Sequence, residues 1–204
     1  MIQQLTYHNG NKILVGVAEK AGSSTAIATM GYPVMGSFKY RDERNPLIRK
    51  GLWKEIYYSN VKNWDSFPVR IAIVRDPVER FISCYKDRIA NKNKDNVQSY
   101  IKNFNDFVNN IELVRKKSKD IYKHTLPFTQ ILGTAKNYTH IILTKNIDTE
   151  FVDLIKEVSG NNNVPIVRHK MSRKAKDIIP TEDEIKIIKE YYKADYEEYG
   201  SYFI

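Results

Sequence analysis

A lysine, a glycine and three hydroxyl residues stand together in EKAGSST, residues 19–25, where Lys20 is followed by Ala21, Gly22, Ser23, Ser24 and Thr25. Small residues let backbone amides approach a ligand closely. A helix starting here would concentrate unpaired N–H groups beside one fixed positive charge. Such a set can hold a phosphate or sulfate group. The loop of nucleotide triphosphatases has the order G-x-x-x-x-G-K-[ST], with lysine after glycine, and that order is absent because Lys20 precedes Gly22. Taken alone, the stretch fits equally well a solvated lysine followed by a serine helix cap.

A second stretch, IVRDPVERFISCYKDRI at 73–89, adds to the first. Asp76 can cap a helix, Pro77 suits its first turn, and Glu79 completes a capping-box spacing. Val78, Phe81, Ile82, Tyr85 and Ile89 share one apolar face at helical spacing. A strand, a cap and an amphipathic helix explain all of these. They do not require an arginine, Arg75, at the strand end or Ser83 on the polar side.

These residues need elements to position them. Apolar, β-rich runs occur at 12–17 (KILVGV), 69–74 (VRIAIV) and 139–144 (THIILT), with helical spacing between them. This alternation predicts an α/β fold with a central parallel sheet flanked by helices. Such sheets bind ligands at the carboxyl ends of their strands, where both stretches fall. The segment 91–123 reads as a polar, Asn-rich loop leading into a helix carrying Val97, Tyr100, Ile101, Phe104, Phe107, Val108 and Ile111. Further helices are expected near 148–158 and 181–198, the latter opening on PTEDE. A chain of 204 residues with no Gly- or Pro-rich linker predicts one domain over 1–204.

Lys plus Arg exceeds Asp plus Glu by 33 to 24, a formal charge of +9 that favours anionic ligands without naming one. Cys84 is the single cysteine, so no internal disulfide or cysteine metal cluster can form, which suits a reducing compartment. No run approaches the ~20 apolar residues of a membrane-spanning helix, and the N-terminus lacks a signal-peptide pattern, so a cytoplasmic protein without an integral membrane segment is expected.

Together the two stretches resemble the cofactor signatures of sulfotransferases that use 3′-phosphoadenosine 5′-phosphosulfate, PAPS. The nearest resemblance is to the Golgi carbohydrate sulfotransferases of the chondroitin 4-O-, HNK-1 and heparan 2-O-type. Their first motif, Pro-Lys-x-(Ala/Gly)-(Ser/Cys/Thr)-(Thr/Ser), is similar to residues 20–25 from the lysine onward, with Glu19 in place of the proline. Their second, of the form V-R-D/H-P-x-E-R-x-x-S-A-Y-R-D-K, is similar to residues 74–88. The spacing between the motifs, about 50 residues, also fits. DIYKHTLPFTQIL (120–132) is loosely similar to the family's Asp-x-His-x-x-Pro-Gln region. VRHKMSRK resembles the loop that closes over the nucleotide, and IKEYYKADYEEYGSYF the usual C-terminus.

The resemblance implies a three-layer P-loop-like fold and transfer of a sulfuryl group from PAPS to an acceptor hydroxyl, most plausibly of a carbohydrate. PAP is then the product, and neither metal nor nucleic acid is needed. It implies that Lys20 neutralises the departing bridging oxygen and that Ala21, Gly22, Ser23, Ser24 and Thr25 hold the 5′-phosphosulfate. Arg75 and Ser83 would bind the 3′-phosphate. Among Arg168, Lys170, Arg173 and Lys174, Arg173 is the favoured addition to that grip, although a basic run also reads as solvated surface. For the general base, Glu43 comes first and Asp42 second, on a segment that equally reads as a charged surface turn. His124 is third, and it also reads as a structural hydrogen-bonding residue. Trp53 and Trp64 could stack on a sugar or adenine, with core packing the simpler reading.

Two other functions compete on the residues alone. One is a non-catalytic basic module for nucleic acid or sulfated glycan, supported by charge. The other is a small nucleotide kinase, disfavoured by the lysine order.

Overall fold

The computed structural model describes residues 2–36, 53–90, 101–165 and 177–203. The chain divides into two compact units, one of Met1–Val74 with Phe128–His169 and one of Arg75–Pro127 with Lys170–Ile204.

The first unit is built on a five-stranded sheet: β1 (Ile2–Thr6), β2 (Lys12–Val17), β3 (Trp53–Ile56), β4 (Val69–Val74) and β5 (His140–Leu143), in the order β3-β1-β2-β4-β5. β2, β4 and β5 are the three expected strands and run parallel, with Val17 opposite Ile73 and Val74 opposite Leu143. β1 and β3 extend the sheet as antiparallel neighbours beyond the three apolar runs of the sequence. β1 and β2 form a hairpin whose turn carries Gly10 at φ +84 and closes with Tyr7 N–H donating to Asn11 O at 2.8 Å.

Continuous apolar strands are expected where both faces of a sheet are covered, and β2 illustrates this. Ile13, Val15 and Val17 pack with Ala26, Ile27 and Met30 of helix α1 (Ser23–Met35) and with Phe151, Val152 and Ile155 around helix α7 (Val152–Ser159). Leu14, on the opposite face, joins Ile2 and Phe67, with Trp64 partly buried beside them. Gly16 shares that face with helix α6 (Phe128–Leu132). A Cβ there would stand 2.9 Å from both Leu132 Cδ2 and the Tyr138 hydroxyl, closer than real contacts allow. Helices thus cover both sides of the sheet, as expected.

The second unit is helical: α2 (Pro77–Tyr85), α3 (Phe104–Asn109), α4 (Ile111–Lys117), α5 (Lys119–Thr125), α8 (Glu182–Tyr191) and α9 (Lys193–Tyr199). Phe81 and Tyr85 of α2 meet Phe104 and Phe107 of α3, with ring centroids 4.8 to 6.1 Å apart. Ile188 and Tyr192 complete this core, and Cys84 is buried in it as a packing residue. The single helix expected before residue 123 is three. Asn103 and Ser118 accept from the N–H groups of Asp106 and Ile121 and so start new helices, and Asn110 leaves helical geometry at φ −112, ψ 18. Likewise the helix expected over 181–198 is divided at Tyr192, φ −103 and ψ 22. Its start matches the expectation: Thr181 and Glu184 form a complete capping box.

Candidate functional site

At the carboxyl end of β2 the chain makes a tight turn. Ala21 N–H donates to Ala18 O at 3.2 Å, and both alanines are buried. The turn places two residues in the left-handed region, Lys20 at φ +64 and Gly22 at φ +81. Left-handed geometry costs a residue with a Cβ about 1–2 kcal/mol, and such outliers concentrate at functional sites. Lys20 is the one such non-glycine residue among those described. Gly22 is required for a second reason, because a Cβ there would collide with Ile147 Cδ1.

α1 begins at Ser23. No side chain caps it and no acidic residue lies in its first turn. Its first N–H groups therefore present a partial positive charge that neither a side-chain cap nor an acidic residue of the helix's own first turn offsets. Ser23, Ser24 and Thr25 are half-buried beside it. Ser23 Oγ donates to Glu19 Oε2 at 3.4 Å, so the carboxylate that replaces the family's proline serves the loop itself.

The parallel register brings the ends of β4 and β5 alongside β2. Thr144, just after β5, donates its hydroxyl to Val74 O at 3.0 Å. Its methyl would lie 3.5 Å from a Cβ on Gly22. Thr144 and Ile147 support the loop from a distant part of the chain, and no local motif marks them.

The start of α2 is as the sequence predicts. Asp76 Oδ1 accepts from Glu79 N–H at 3.0 Å and Pro77 occupies the first turn. Arg75 Nε donates to Glu79 Oε2 at 3.2 Å, and this pair is partly solvated. Ser83 is half-buried one helical turn beyond Glu79, and residues four apart share a helix face. Arg80 of the same motif is fully buried, its Nη1 donating to Leu126 O at 2.6 Å. Tyr192 donates to the neighbouring Thr125 O at 2.8 Å.

His124, on α5, is buried and engaged at both ring nitrogens. Nδ1 lies 2.7 Å from the Asp120 carbonyl, an acceptor, so it carries the proton. Nε2, 2.6 Å from Arg88 Nη2, is then the acceptor. Arg88 also pairs with Asp87 and Asp120, at 3.4 and 3.3 Å. Trp64 packs edge-on against Tyr138 at 5.4 Å, which favours the packing reading. Asp42, Glu43 and Arg173, with Arg168, Lys170 and Lys174, lie outside the described residues, as does the side chain of Trp53. Among the described residues no group of three His, Cys, Asp or Glu could hold a metal, and no helix is long and apolar enough to cross a membrane.

Open α/β sheets take their ligands at the carboxyl ends of their strands, and the turn after β2 lies at such an end. The sequence profile of the sulfotransferase family matches residues 3–202, and the chain belongs to that family, which includes the Golgi carbohydrate sulfotransferases. No curated protein and no solved structure gives a match. The family consists of sulfotransferases of the EC 2.8.2 type and implies PAPS as donor. Membership displaces the kinase and non-catalytic readings.

Proposed function

We propose that the protein transfers the sulfuryl group of PAPS to an acceptor hydroxyl, with a carbohydrate as the favoured acceptor and the whole chain acting as one sulfotransferase domain. The observation that carries this reading is the strained turn at Lys20–Gly22, which leads into an uncapped, acid-free helix start in a chain of this family. The donor set fits the nucleotide. Backbone N–H groups of Gly22 to Thr25 and three hydroxyls suit the 5′-phosphosulfate, and a guanidinium suits the 3′-phosphate because it can form two charge-assisted bonds to it.

Bound PAPS supplies the activated sulfuryl group; everything else falls to the chain. Sulfuryl transfer, like phosphoryl transfer, asks for in-line positioning and charge stabilisation rather than covalent catalysis. Lys20 places its ammonium where negative charge develops on the oxygen that leaves, and Ser23, Ser24 and Thr25 orient the 5′ end. Arg75, with Ser83, reads the 3′-phosphate and so distinguishes PAPS from ATP, and Arg173 adds to this grip. The base that takes the acceptor proton is Glu43, with Asp42 second and His124 third. For His124 to act it would first have to give up its bond from Arg88.

Calorimetric titration with PAP, ATP and AMP tests the reading. PAP should bind most tightly, and Arg75→Ala should remove its advantage over AMP. Labelled PAPS incubated with a panel of glycans, lipids and peptides then identifies the acceptor. Equal affinity of the unaltered protein for PAP and AMP would refute the proposal.

A further inference from the structure

Both carboxylate oxygens of Asp76 are committed. Oδ1 receives the Glu79 N–H that caps α2. Oδ2 receives the hydroxyl of Tyr196, 120 residues further along on α9, at 3.0 Å. The turn immediately after Arg75 is therefore held by α2's own first turn and by a phenol from the C-terminal helix. Tyr196 is half-buried, its ring edge-on to Phe203 at 5.6 Å and under Lys189 Nζ at 5.8 Å. Phenylalanine could keep those ring contacts, so the hydroxyl is distinguished by its bond to Asp76. Burial first, and then the Asp76 charge, push the phenol well above its ordinary range, so it remains a donor at neutral pH.

We propose that Tyr196 is a positioning residue for recognition of the nucleotide 3′-phosphate, acting through Asp76 on the turn from which Arg75 reaches its ligand. This rests on the reading of Arg75 given above. One physical effect follows from the bond. It fixes the backbone that aims the Arg75 side chain, so less ordering remains to be done when the ligand binds.

The test is titration of the full chain, as wild type, Tyr196→Phe, Arg75→Ala and the double variant, with PAP and with AMP, which lacks the 3′-phosphate. Tyr196→Phe should weaken PAP binding about 3- to 10-fold, less than the roughly 10- to 150-fold scale of a hydrogen bond to a charged group because this bond acts on the ligand only through Arg75. AMP affinity should stay unchanged, and the double variant should bind PAP no more weakly than Arg75→Ala alone. Unchanged PAP binding in Tyr196→Phe overturns the proposal. So does equal weakening of PAP and AMP, whether by unfolding or otherwise, because that marks a merely structural tyrosine. Additive losses in the double variant also overturn it. Arg75→Ala that leaves the PAP-to-AMP ratio untouched overturns the reading of Arg75 itself, a failure visible without any Tyr196 variant.

Discussion

Replacing Gly22 with alanine separates two demands that the loop makes on one residue. The first is conformational: φ is +81, where a Cβ costs about 1–2 kcal/mol. The second is steric, because the new methyl would collide with Ile147 Cδ1, and Ile147 is buried among Ala26, Ile27 and Phe151 with little room to withdraw. Overpacking of this kind costs about 1–3 kcal/mol. The sum, about 2–5 kcal/mol, is a large share of the ~5–15 kcal/mol that stabilises a typical domain. Ile147→Val removes the clashing carbon at its own cost of about 0.5–1.5 kcal/mol. Denaturant titration of the two single variants and the double should therefore show a favourable coupling of about 1–2 kcal/mol, the steric part restored and the conformational part not. Binding gives a second readout. A distorted 5′ cradle should weaken PAP and AMP together, whereas Arg75→Ala should weaken PAP selectively. Strict additivity of the two stability losses, or a Gly22→Ala protein within about 0.5 kcal/mol of wild type, would refute this account of the loop.

Lys20→Ala should lower turnover by roughly 100- to 1000-fold, the usual loss for one donor aimed at developing charge, measured as label transferred from PAPS. Lys20→Arg should recover only part, since a planar fork does not replace a point charge. Arg80→Ala should cost about 3–5 kcal/mol by urea unfolding, from a cavity plus the stranded Leu126 carbonyl, while Arg80→Met should cost less because it fills the space. Stability should also fall at alkaline pH. Burial raises Tyr192, and burial pushes Tyr191 up to about 12 against the opposing charge of Arg115. Above about pH 10 the unfolded chain therefore holds fewer protons than the folded one. Tyr192 alone should contribute a loss of about 1.4 kcal/mol per pH unit, and Tyr192→Phe, though weaker at pH 8, should show a shallower decline.

The elements that read correctly from sequence are those whose pattern comes from burial on both sides. KILVGV and VRIAIV are nearly wholly buried strands, and their bounds agree residue for residue. β1, IQQLT, and β3, WKEI, were not anticipated because polar residues interrupt them, although Ile2 and Leu5 are fully buried. The middle helices were merged for a related reason. Val97 to Ile111 look like one amphipathic stripe, but the chain leaves helical geometry at Asn110, and further on Ser118 offers the backbone a local partner at which another helix starts. Periodicity reports which face is apolar and is nearly silent on where a cap interrupts it.

At the candidate site the residues assigned to the ligand are local in sequence, and those that hold them in place are not. Lys20 to Thr25 and Arg75 with Ser83 were legible as motifs. Ile147 against Gly22, Thr144 on Val74 and Tyr196 on Asp76 were not, because each partner is brought in by packing rather than spacing.

Two of the carboxylates in and beside the cofactor motifs show what such support can do. Glu19 and Glu79 would be expected to repel a dianionic nucleotide, yet each accepts from a residue assigned to bind it, Ser23 at 3.4 Å and Arg75 at 3.2 Å. The Arg75–Glu79 pair is partly solvated, and pairs of this spacing contribute only about 0.3–0.5 kcal/mol. A phosphate offering two charge-assisted bonds can displace so weak a partner readily. Meanwhile the pair holds the guanidinium over α2 and spares it much of the conformational freedom it would otherwise lose on binding. Weak acidic partners beside an anion site are therefore consistent with anion binding, provided each is exposed enough to give way.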